Sequence, residues 1–142
     1  MRLELRLSFF YFTFFSLLGV VMPFWAPYLS SEGFNAEEIG YLLGAFHLSR
    51  IYAPSIWGWV ADRFMERMRV VRIGALLALI TFVPVIYLHG FWPLLASMLL
   101  FSFFWNAILP QFEVVTLSHL GEKRDRYGKI RLWGSVGFVV AT

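Results

Sequence analysis

Arg50 stands twelve positions after Glu38 and twelve before Asp62, and it is the sole charged residue between them. A guanidinium presents a planar fork of donors that matches a carboxylate bidentately. In the middle of an apolar helix such a group costs ~2.5–3.5 kcal/mol on insertion scales, so it needs an acidic partner, a water-filled cavity or a ligand. Two readings follow: a fixed ion pair with a carboxylate on a neighbouring helix, or a guanidinium facing a central cavity that receives an anionic group. The second is the expectation adopted here.

Glu113 is the only acidic residue in the apolar part of the last three helical segments delimited below, and it follows Asn106-Ala107-Ile108-Leu109-Pro110-Gln111-Phe112. Proline in a lipid-embedded helix frees backbone groups that other polar atoms must satisfy, which is tolerated facing protein or water. A carboxyl at such a place can take up and release a proton. Glu113 and Arg131 each lie nine residues from Glu122. Antiparallel helices folded about that residue would bring them to one depth, either as a structural salt bridge or as a substrate-facing pair.

Gly58-Trp59-Val60-Ala61-Asp62-Arg63 closes a helical segment, with Asp62 against its negative dipole end. Unless Asp62 is simply a solvated loop residue, something positive must offset it. Arg63, Arg67, a basic residue further along or the N-terminus of another helix would serve.

Other chemistry is thin. With no cysteine and only three scattered histidines, thiolate zinc, iron–sulfur and disulfide frameworks are excluded, and neither a metal nor a cofactor is expected. Tyr11, Trp25, Tyr52 and Trp105 are conceivable pocket residues, but the sixteen phenylalanines mostly suit lipid contact and helix packing. His47, within reach of the Arg50 face, is expected to be a packing or pore-wetting residue rather than a proton relay.

The elements that position these residues follow from composition. Of 142 residues 59% are hydrophobic and 15% charged, with a mean hydropathy of +0.68. A soluble domain carries ~25% charged residues, and a chain this short buries only ~70% of its surface, so lipid must be the solvent. No charge occurs from Leu7 to Ser31, a run longer than the ~20 residues that cross a bilayer and too long for a signal peptide. A second helix opens at Asn35-Ala36-Glu37-Glu38 as a capping box, with Phe34 and Ile39 as a hydrophobic staple. The expected helices cover residues 7–29, 36–60, 70–88, 92–117 and 130–142, with Gly90 stopping the third. From Arg131 to Thr142 the fifth would rise only ~18 Å at ~1.5 Å per residue, too little to cross.

Eleven of the twelve Lys and Arg residues fall before the first helix, around the second connection or around the fourth. Basic residues gather on the cytoplasmic side, so the amino terminus is expected in the cytoplasm. The net charge of +3 is thereby a topology signal, and no nucleic-acid partner is expected.

Tyr11-Phe12 to Pro23-Phe24-Trp25, Ile39-Gly40-Tyr41-Leu42-Leu43-Gly44-Ala45 with Arg50 behind it, and Tyr127-Gly128-Lys129-Ile130-Arg131-Leu132-Trp133-Gly134 resemble the major facilitator superfamily. The 3-phenylpropionate permease family is the strongest resemblance, and lactose permease and the nucleoside:proton symporters are more distant. Gly58, Asp62, Arg63 and Arg67 match the superfamily loop signature, with Met65 where that signature has glycine. Asn106, Pro110, Glu113 and Arg131 resemble the sugar-contacting segment of lactose permease, whereas Arg50 has no counterpart there, which argues for an anion. The resemblance implies an all-α polytopic membrane protein, the N-terminal part of a twelve-helix fold with four full transmembrane helices and the start of a fifth. It implies a non-enzymatic secondary transporter of the cell inner membrane, a proton symporter for a small organic substrate such as an aromatic acid. Arg50, Glu113, Arg131 and Asn106 would bind substrate, Glu113 would couple the proton, and Gly58, Asp62, Arg63 and Arg67 would form a conformational latch. The chain is expected to be a fragment that needs C-terminal helices of a parent and a lipid bilayer as partners. A sugar or nucleoside symporter, or a four-span scaffold that transports nothing, is the alternative.

Overall fold

The computed structural model describes residues 2–64 and 66–142. Met65, the departure from the loop signature, lies outside the described residues. The chain forms α1 (Leu3–Ser31), α2 (Ala36–Phe64), α3 (Arg67–Tyr87), α4 (Phe91–Leu120), a 3-10 turn (Arg124–Arg126) and α5 (Tyr127–Ala141). Helix α1 starts at Leu3 rather than Leu7, and α3 at Arg67 rather than Val70, so charged residues sit in the first turn of each.

Local chemistry accounts for the helix ends. The Asn35 side chain accepts the Glu38 N–H at 2.9 Å while the Glu38 carboxylate accepts the Asn35 N–H at 3.0 Å, the reciprocal bond of a capping box. Gly90 adopts φ 98° in the turn between α3 and α4, a conformation that side chains with a Cβ rarely take.

Among the described residues three helices, α1, α3 and α4, are long and apolar enough to cross a membrane. This differs from the expected four. Helix α2 has 29 residues, ample length, but Arg50, His47, the terminal acids and several small polar residues dilute its apolar content. Leu76, Leu79, Ile80, Val83 and Ile86 of α3 are all exposed, a disposition that suits lipid or further helices and not water. The protein is a polytopic all-α membrane protein.

The chain divides into two compact units, residues 1–33 with 116–142, and residues 34–115. In the first, α1 and α5 approach through glycine. A Cβ on Gly137 would lie 2.3 Å from the Phe12 carbonyl oxygen, and one on Gly19 would lie 2.6 Å from that of Phe138. Ser16 Oγ donates to the Gly137 carbonyl at 3.1 Å. Without a hydrophobic drive in lipid, such close backbone packing is what holds helices together. In the second unit a core of Ala53, Trp57, Ala61, Val70 and Ala107 joins α2, α3 and α4, and Trp57 Nε1 donates to the Phe103 carbonyl at 3.1 Å. Small residues again let the backbones approach.

Candidate functional site

In the second unit two of the loop-signature residues, Asp62 and Arg67, meet. Asp62 lies in the last turns of α2, and Arg67 opens α3. The Arg67 guanidinium bonds the Asp62 carboxylate through one nitrogen and donates through the other to Gln111 Oε1 at 2.6 Å. Of the cations anticipated for Asp62, Arg67 is the one that reaches it; Arg63 is exposed and makes no ion pair among the described residues. Gln111, 3% exposed on α4, extends the pair to a third helix. Its signal in the sequence was only an amide beside Pro110 in an apolar run. A Cβ on Gly58 would stand 3.8 Å from Gln111 Nε2, ordinary contact, so Gly58 is not required by the described packing.

Arg50 is exposed on α2 and makes no hydrogen bond or ion pair among the described residues. Its neighbour Ser49 is fully buried and shares a 2.8 Å hydrogen bond with Ser102 on α4. That bond fixes the rotation of α2 at the level of Arg50, and neither serine was anticipated. Asn106 is half-buried and returns its amide N–H to the Ser102 carbonyl at 2.8 Å. Glu113 is half-buried further along α4 in the same unit. His47 is exposed beside Phe46.

Arg131 belongs to the first unit. Its guanidinium carbon lies 4.2 Å from the centre of the Phe15 ring and 5.5 Å from that of Tyr11, where the ring quadrupoles attract a cation. Tyr11 is fully buried and donates to Thr116 Oγ1 at 3.2 Å, so this candidate pocket residue is a packing residue. Of the others, Trp25 stacks on Tyr28, Tyr52 on Phe103, and Trp105 packs against Phe101.

A family model described as the MFS_1 like family matches residues 4–142. The chain is 31% identical over 138 residues to the "Probable 3-phenylpropionic acid transporter" of Escherichia coli (strain K12), covering 93% of this chain and 35% of that protein. It is 33% identical over 135 residues to the "Maltose permease" of Geobacillus stearothermophilus, covering 93% of this chain and 34% of that protein. It is 25% identical over 133 residues to the "Uncharacterized transporter YwbF" of Bacillus subtilis (strain 168), covering 93% and 33%. The chain thus spans about a third of the length of these curated relatives. No solved structure matches it.

Proposed function

Because the chain belongs to the MFS_1 like family of the major facilitator superfamily, whose members move solutes without transforming them, we propose that it is the N-terminal part of a proton-coupled symporter for a small organic anion. The carrying observation is Arg50, exposed at the middle of α2 without an ion pair among the described residues. A guanidinium at the middle of a membrane-crossing helix is stabilised by an anionic ligand. Arg131, held on its aromatic shelf, supplies a second cation, Glu113 takes up the proton, and Asn106 adds an amide. Two cations and a protonated Glu113 carry net positive charge, and a monocarboxylate with deprotonation of Glu113 restores balance. An aromatic acid is favoured by the likeness to the phenylpropionate relative.

In this reading four helices, α2 included, cross the inner membrane with the amino terminus in the cytoplasm, and residues 1–142 belong to one six-helix half of the transporter. Alternating access rocks that half against a second one, and the Gly58, Asp62, Arg63 and Arg67 segment latches the cytoplasmic side. The likeness to a maltose permease supports a second reading, a sugar symporter, in which Asn106, Glu113 and Arg131 bind hydroxyl groups and Arg50 is structural.

The test is uptake of labelled 3-phenylpropionate, maltose and uridine into proteoliposomes holding the full-length protein, with Arg50→Gln and Glu113→Gln alongside. Acid uptake lost in Arg50→Gln and uncoupled from the proton gradient or lost in Glu113→Gln is expected. Normal acid uptake by Arg50→Gln removes Arg50 from the anion site, whereas maltose uptake with no acid uptake by the unaltered protein removes the anion reading and supports the second.

A further inference from the structure

The first unit carries a cleft of about 280 Å³ outside the residues assigned to transport, lined by Arg2, Leu3, Glu4, His119, Lys123 and Arg126, with Leu120 at its base. Its charge is one-sided. Arg2, Lys123 and Arg126 outnumber the single carboxylate of Glu4, and Arg126 Nη1 donates to Glu4 Oε1 at 2.6 Å. Glu4 raises the Arg126 pKa above its ordinary value, first through that hydrogen bond and then through its charge, so Arg126 is cationic at every working pH. Arg2 and Lys123 are exposed and make no ion pair among the described residues.

The lining is also amphiphilic. Leu120 is buried and Leu3 is half-exposed, and Leu3 begins α1, one of the helices apolar enough to cross a bilayer. The cleft lies where the first turn of α1 meets the last turn of α4, and both helices are long and apolar enough to cross a bilayer, so it falls at the depth of phospholipid headgroups when they span. Its volume lies just below the ~300–1,000 Å³ of drug-sized pockets, suiting a small anion rather than an extended solute. Basic pockets of this kind at helix ends take up anionic headgroups.

We propose that this cleft binds a phosphate group, that of an anionic phospholipid headgroup entering from the bilayer. Glu4 orients the Arg126 fork, and Arg2 and Lys123 supply the uncompensated charge. The inference requires only that α1 crosses a bilayer and is independent of the transported solute, so either proposal can fail without the other.

The test uses the full-length protein in neutral detergent, titrated with short-chain phosphatidylglycerol, phosphatidylcholine or inorganic phosphate and read by native mass spectrometry. Phosphatidylglycerol should bind saturably and at least tenfold more tightly than phosphatidylcholine. Each juxtamembrane cation contributes about fivefold to anionic lipid affinity, so Arg2→Gln with Lys123→Gln should weaken binding by tenfold or more. Arg2→Lys with Lys123→Arg should retain binding, which separates charge from a folding defect. Arg69→Gln, a basic residue outside the cleft, should leave affinity unchanged. Displacement of lipid by millimolar phosphate would support the same site with free phosphate as its ligand; no displacement supports the headgroup. Wild-type affinity in the Arg2 and Lys123 double variant, an equal loss in Arg69→Gln, or no saturable binding of either ligand would overturn the proposal.

Discussion

Asp62 and Arg67 are bonded to each other between α2 and α3, and each stands at the helix end whose dipole opposes its charge. A carboxylate near a helix C-terminus and a guanidinium at a helix N-terminus are each unfavourable by ~0.3–1 kcal/mol. Their pairing offsets both terms at once. The carboxylate is 66% exposed, so the attraction is the ~0–1 kcal/mol of a solvated ion pair, strengthened by the bond from Arg67 to buried Gln111. A contact so nearly balanced is suited to making and breaking, as the proposed latch requires.

Exchanging the charges, Asp62→Lys with Arg67→Glu, preserves the attraction and makes both dipole terms favourable. The exchange reverses two terms of that size and, with the Gln111 amide turned over to donate to the new carboxylate, should stabilise the junction by about 1–4 kcal/mol. Amide hydrogen exchange in the first turn of α3 should slow accordingly, and transport by the full-length protein should slow with it. Unchanged exchange would remove the dipole argument.

Gly137→Ala places a methyl carbon 2.3 Å from the Phe12 carbonyl oxygen, where backbone on both sides must move. Overpacking of this kind costs about 1–3 kcal/mol. Thermal unfolding in detergent should show a clear drop for Gly137→Ala. Gly44→Ala, with nothing within 4 Å of the new carbon, should be neutral or gain up to about 1 kcal/mol from helix propensity.

The Ser49 and Ser102 hydroxyls form the buried link between α2 and α4 beside Arg50. A double-mutant cycle with Ser49→Ala and Ser102→Ala should give a coupling of about 0.6 kcal/mol, the typical value for hydrogen bonds between membrane helices. Additive single effects would show that the bond does not hold the helix pair.

For topology, a reporter fused after Gly90 should read as periplasmic and one after Arg126 as cytoplasmic, since Lys and Arg crowd the second of these connections and are absent from the first. The reverse pattern would invert the proposed orientation and move the latch to the other face.

Helices and their ends were legible in the sequence because the signals are local. The Asn35 and Glu38 box spans four residues, and an uncharged run such as Leu7 to Ser31 needs no knowledge of its neighbours. The need of Asp62 for a cation was also legible, since the dipole that opposes it belongs to its own helix. Its partner was not. Arg63 is adjacent in the chain, yet Arg67 at the start of α3 makes the bond, and α4 presents Gln111 to the same guanidinium. Ser49 with Ser102 and Gly137 with Phe12 are separated by 53 and 125 positions respectively, and no local pattern marks them. Composition and periodicity determined that this is a membrane protein of successive helices. Which small or polar side chains meet was decided only when helices packed in lipid, where association rests on close contact and hydrogen bonds rather than on hydrophobicity.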